Sequence, residues 1–129
     1  MDEASALKVL IIEDDKATRQ TFRAALEAGG CIVAEAARGD IGVELAKRFN
    51  PSVIVLDLLL PGLKGEAVVQ ELKLDVLTAD IAIVVVSVVS PQSAGLPLQA
   101  IAAHIVKPAA GDYVLKAVRQ AAATRARPR

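Results

Sequence analysis

Tryptophan is missing from this sequence, and its aromatic side chains are three: Phe22, Phe49 and Tyr113. Any interior must therefore be built from Ala, Val, Leu and Ile. These are plentiful, since 53% of the residues are hydrophobic. Cys31 is the single cysteine, which excludes an internal disulfide and a cysteine metal cluster. It lies in the apolar segment CIVAEA, where a free cysteine packs as a small hydrophobe. Formal net charge is zero, so no global field points to nucleic acid. No apolar run approaches the roughly 18 to 20 residues that span a bilayer. The start, MDEASALK, is acidic and lacks the apolar region of a signal peptide. These absences lead us to expect a soluble, cytoplasmic chain without membrane or direct nucleic-acid contact.

What is present is an alternation. Short apolar runs at Val9–Ile12, Cys31–Ala36, Val53–Leu56, Ile81–Val86 and His104–Val106 read as strands. Between and after them, 16–28, 39–49, 65–74 and 112–124 carry helical periodicity. Phe22, Ala25 and Leu26 share one face of the first helix, which ends at Gly29-Gly30. Ile41, Leu45 and Phe49 recur every four residues in the second, which Asn50-Pro51 breaks. Val68 and Leu72 mark the third, and Val114, Val118 and Ala121 the last. The run IAIVVV is β-branched and apolar on both faces, as in a sheet covered on both sides. Strands alternating with helices imply right-handed crossovers and a parallel sheet. Length, 129 residues, suits one domain. The expected fold is α/β: a flavodoxin-like doubly wound five-stranded parallel sheet, order 2-1-3-4-5, with helices on both faces. The domain is expected over 1–124, with 125–129 a basic tail or linker stub carrying Arg125, Arg127 and Arg129. A solvated end is the preferred reading of that tail over a DNA-binding arm.

One carboxylate interrupts the most apolar stretch, SVIVLDLLLPGLKG. A buried unpaired charge costs several kcal/mol, so Asp57 must emerge at a strand end or meet a cation. In open α/β sheets ligands bind beyond the carboxyl ends of the strands. The first strand ends in Glu13-Asp14-Asp15, the third in Asp57, the fourth in Ser87 and the fifth in Lys107-Pro108. Asp15 by itself reads as a helix N-cap, Ser87 as a turn residue and Lys107 as a solvated cation. Together, three carboxylates on one edge repel and call for a hard divalent ion with oxygen ligands. Mg²⁺ is the usual choice where phosphate is handled. Asp57 is then placed as a nucleophile toward phosphorus, with Lys107 and Ser87 on two further phosphoryl oxygens.

VLIIEDDKATR, VIVLDLLLPGLKG, IVVVSVVS and HIVKP together resemble a receiver domain of a two-component response regulator, over residues 8 to about 124. The resemblance implies that Asp57 is the phosphoacceptor. Asp14 would be a direct Mg²⁺ ligand, Glu13 a water-mediated one, and the Leu59 carbonyl a further ligand. Ser87 stands at the switch Ser/Thr, Lys107 at the family lysine, and the bond to Pro108 is expected to be cis. His104 stands at the aromatic switch position; as a bare residue it reads equally as a surface ring near a strand start. Leu59 and Val89, two after the acceptor and two after Ser87, would flank the path of a hydrolytic water. The implied partners are a sensor histidine kinase or histidine phosphotransfer protein, and an output domain or downstream protein. The family's phosphorylation-dependent dimer uses the helix after the fourth strand, the fifth strand and the last helix.

There are departures. Val88 replaces a small residue, and Ala109 follows Lys-Pro where the family has Phe. SPQSAGLPLQAIAA holds Pro91, Gly95 and Pro97, so the helix there is expected to begin near Pro97 and be short, or to be irregular. No Asp, Glu, Lys or Arg occurs from Val88 to Ile105. A phosphatase of the haloacid-dehalogenase type would need an Asp where Leu59 stands, and a flavin module would need a Ser/Thr/Gly-rich loop where EDDKATR stands. The remaining alternative is a degenerate receiver, an interaction module that is not phosphorylated. The chain is expected to accept phosphate and lose it slowly, and not to turn over an external substrate.

Overall fold

The computed structural model describes residues 6–125. Five strands, β1 (Lys8–Ile12), β2 (Ile32–Ala36), β3 (Val53–Leu56), β4 (Ala82–Ser87) and β5 (Ala103–Val106), alternate with α1 (Lys16–Ala28), α2 (Gly39–Phe49), α3 (Gly65–Leu74) and α4 (Gly111–Arg125). The strands are all parallel, in the order β2-β1-β3-β4-β5. The reversal of strand order between β1 and β3 is where such sheets open a crevice.

Parallel strands covered on both faces must be apolar on both sides. Every residue of β3 is buried, and β4 is buried from Ile83 to Ser87. One face packs Val9, Ile11, Val55 and Val84 against Phe22 and Leu26 of α1 and Val114 and Val118 of α4. The other packs Leu10, Ile12, Ile54 and Ile83 against Val43 of α2 and Val68 and Leu72 of α3. Cys31 is buried and free. Asp15 caps α1, its Oδ2 accepting from the Thr18 N–H at 2.9 Å. Gly29 closes that helix, and Asn50 in the left-handed region (φ 53°) closes α2.

The face of α2 differs from the four-residue spacing in the sequence. Ile41 is 53% exposed, and burial centres on Gly42, Val43 and Ala46. The helix lies so close to β1 that a Cβ on Gly42 would fall 2.5 Å from Ile12 Cδ1. The contact row therefore runs through its small residues, and Leu45 and Phe49 pack at its margin. Between β4 and β5 the chain is irregular. Leu96 N–H closes a turn onto Pro91 O at 2.8 Å, Gly95 takes φ 80°, and Leu98–Ala100 forms one 3-10 turn. Pro97 sits just before that turn, as its missing N–H allows. Leu96 is buried and Ile101 packs on the sheet, while Leu98 is 57% exposed. The expected α4 boundary extends by one residue at each end, to Gly111 and Arg125; of the basic tail, Arg127 and Arg129 lie outside the described residues. No described helix is long and apolar enough to cross a membrane.

Candidate functional site

Strand register delivers the chemistry to one edge. Ile12 pairs with Leu56, Leu56 with Val85, and Ser87 with Val106. Glu13, Asp57, Ser87 and Lys107 each end or immediately follow one of these four strands. The ladders continue to the edge: Asp57 N–H donates to Ile12 O at 3.1 Å, and Lys107 N–H to Ser87 O at 3.2 Å.

Asp57 is buried, and both of its oxygens are engaged. Oδ1 accepts from the Ser87 hydroxyl at 2.7 Å and from the Leu59 N–H at 3.0 Å. Oδ2 faces Lys107 Nζ at 2.7 Å. The same ammonium lies 2.6 Å from Glu13 Oε1, while Glu13 Oε2 accepts from the Asp15 N–H at 3.1 Å. Glu13 is 2% exposed and Ser87 wholly buried. Lys107 thus bridges two buried carboxylates. Burial pushes the Glu13 carboxyl above its ordinary range, against the pull of Lys107. Burial acts to lower the Lys107 ammonium, but its bonds to Asp57 and Glu13 prevail and hold it above its usual value.

Asp14 is exposed, yet Glu13, Asp14 and Asp57 each place a carboxylate oxygen within 4.8 Å of the others. Three hard oxygen donors against one touching ammonium leave excess negative charge. That donor set suits a hard divalent cation. The Lys107–Pro108 bond is cis. The loop between Asp57 and α3 is held close to the strand end: a Cβ on Gly65 would come 2.4 Å from Leu58 Cα and 2.9 Å from Asp57 O. Leu59 is 53% exposed, and Leu59, Val89 and Asp14 line one cleft.

His104 stands apart from this cluster. It pairs with Val85 in the β4–β5 register, and its Nε2 is buried without a hydrogen-bond partner among the described residues. Two residues with a part in the site carry no role from sequence alone. Arg19 Nη1 donates to Glu13 O at 2.8 Å, and its Nε pairs with Glu35 at 2.6 Å. The available signal was a lone carboxylate in the apolar strand CIVAEA and an arginine one turn into the helix that follows EDD.

The family model of the response regulator receiver domain matches residues 9–125. The nitrate/nitrite response regulator protein NarP of Escherichia coli is 33% identical over 124 residues, which cover 95% of this chain and 58% of that protein. The chain therefore spans little more than half the length of that relative. Among solved structures, a CheY-like receiver domain protein from Methanospirillum hungatei superposes with a TM-score of 0.85 at 22% identity, covering 94% of this chain and 97% of that one. The receiver domain of the sensor histidine kinase PA1611 from Pseudomonas aeruginosa, described with magnesium in its active-site cleft, gives 0.82 at 21% identity, covering 92% and 99%. At these identities the structural likenesses are of fold.

Proposed function

Because this chain belongs to the response regulator receiver domain family, we propose that it is a phosphoacceptor switch in a two-component phosphorelay and that Asp57 receives the phosphoryl group. The observation that carries this is the double grip on Asp57: Ser87 on one oxygen and Lys107 on the other, 2.7 Å each, beside the Glu13–Asp14 pair. Asp14, Glu13, Asp57 and the Leu59 carbonyl would hold Mg²⁺, and the three clustered carboxylates fit such an ion. Bound there, the ion would supply charge neutralisation and a contact for one phosphoryl oxygen.

The side chains divide the remaining work. An Asp57 oxygen attacks phosphorus as the phosphorus–nitrogen bond of a partner's phosphohistidine breaks, and the histidine nitrogen keeps the electron pair. Lys107, released from Asp57 Oδ2, offsets the new charge on a phosphoryl oxygen, and the Ser87 hydroxyl donates to another. Such transfer depends mainly on positioning and charge. The chain is then a stoichiometric acceptor with slow self-hydrolysis and no turnover of an external substrate. Ser87 and His104 are the proposed switch pair: Ser87 moves with the phosphoryl group, and the ring on β5 follows. A sensor histidine kinase or histidine phosphotransfer protein would donate. An output domain or downstream protein would read the change in a cytoplasmic setting. The balanced charge of this segment favours a protein partner over nucleic acid.

Treatment with acetyl phosphate and Mg²⁺ should raise the intact mass by one phosphoryl group. Chelating the Mg²⁺, or Asp57→Asn, should abolish the rise. An unchanged wild-type mass across several phosphodonors would instead favour an unphosphorylated interaction module.

A further inference from the structure

We propose that Arg19, anchored by Glu35, is a positioning residue for the cation site at Glu13, Asp14 and Asp57; the inference rests on the phosphoacceptor reading above. Arg19 lies in the second turn of α1, and its side chain is only 16% exposed. An arginine so covered is uncommon unless paired, and its pairing is specific. Nε meets Glu35 Oε1 at 2.6 Å. Nη1 turns back over the start of the helix to the carbonyls of Glu13 at 2.8 Å and, more weakly, Asp14 at 3.4 Å.

Those carbonyls belong to the point where the chain leaves the sheet. Glu13 N–H makes the last ladder bond, to Ala36 O at 3.0 Å. Beyond it the pairing with β2 ends, and the partly buried Glu13 carbonyl needs a donor. Arg19 is that donor. Glu35 is fixed on β2 opposite Ile11, and its second oxygen is held by Arg23 at 2.6 Å. A strand therefore orients the guanidinium, and the guanidinium orients the two peptides whose side chains supply acidic groups to the site. Among the described residues its side-chain hydrogen bonds go to those two carbonyls and to Glu35. Partners of this indirect kind commonly change metal affinity by about 10- to 100-fold when removed.

The sign of the effect separates positioning from simple charge. Arg19 is a cation near a cation site, so by Coulomb repulsion alone its removal would tighten binding of a divalent ion. Loss of positioning weakens it.

The experiment is a titration of the intact protein with Mn²⁺, followed by the loss of the free-ion electron paramagnetic resonance signal and by calorimetry with Mg²⁺. Arg19→Ala should weaken Mn²⁺ about tenfold. Arg19→Lys, able to reach one carbonyl, should recover part of the loss. Arg23→Ala removes ion pairs to Glu35 and Glu27 but no bond to the loop, and should stay within about twofold of wild type. Arg19→Met, which keeps the aliphatic stem if Arg19→Ala unfolds, removes the same cation and should weaken binding by a similar factor. Affinity unchanged or increased in folded Arg19→Ala, or in Arg19→Met if the former is unfolded, overturns the proposal and leaves the phosphoacceptor reading standing. Equal losses in Arg19→Ala and Arg23→Ala likewise overturn it, since that marks general destabilisation. Wild type that binds neither ion overturns both readings.

Discussion

Each oxygen of Asp57 has a partner from a different strand, which explains how a carboxylate tolerates 6% exposure inside an apolar run. Pairing and hydrogen bonding offset the desolvation that burial imposes. Beside this satisfied group, the side chains of Leu59 and Val89 are hydrocarbon, and both residues line the cleft they share with Asp14. A hydrolytic water opposite the Asp57 oxygen would have no polar side chain from these two positions to orient it. The proposed phosphoryl-aspartate should therefore be long-lived. Leu59→Asn and Val89→Glu are each expected to speed its loss, on the order of 10- to 100-fold, at or below what a positioned proton acceptor contributes. The decay of the phosphorylated mass after donor removal measures this. Equal or slower decay in both variants would refute it.

At the scale of elements, β2 and α1 are tied by Glu35 through Arg19 and Arg23, 2.6 Å each. The Arg23 bond leads in holding the Glu35 carboxyl below its ordinary range, with Arg19 adding to it and burial opposing. A carboxylate depressed in the folded state stabilises fully above its unfolded value, about 4.3. That contribution fades as pH falls through the lower folded value. Wild type should exceed Glu35→Gln by about 1 kcal/mol or less at neutral pH, given the partial exposure of the pairs. The gap should hold down to about pH 5 and close in stronger acid. Urea unfolding followed by circular dichroism at several pH values tests this, and a gap that widened in acid would contradict it. The same elements show what could be read from residues alone. Continuous β-branched runs such as IAIVVV announce strands covered on both faces, and their alternation with helices announces a parallel sheet. The edge residues Glu13, Asp57, Ser87 and Lys107 could be gathered because each ends or follows a strand. Hidden were features set by distance between backbones. The α2 face runs through Gly42 and Ala46 because β1 approaches too closely for larger groups. Arg19 gains its role from carbonyls that no periodicity reveals.

For the whole molecule, the segment after β4 decides what surface can report the state of Asp57. Receiver dimers of the usual kind would use a helix between β4 and β5, strand β5 and the last helix, paired by charges across a two-fold axis. Here that helix is reduced to the 3-10 turn Leu98–Ala100, and Val88 to Ile105 contains no Asp, Glu, Lys or Arg. A two-fold interface needs one patch complementary to itself, and charge pairs fix its register. Gln92, Ser93, Leu98 and Gln99 are exposed and cannot form ion pairs. The chain is therefore expected not to dimerise through this face when activated. Light scattering of the protein with and without beryllofluoride, at concentrations to about 100 μM, in the micromolar-to-millimolar range where weak association shows, should give the same mass. If beryllofluoride instead produces a dimer, and Gln92→Glu or Gln99→Lys breaks it, this face associates without charge pairing and the expectation fails. A dimer insensitive to both substitutions would place association elsewhere on the molecule and leave the uncharged segment outside it.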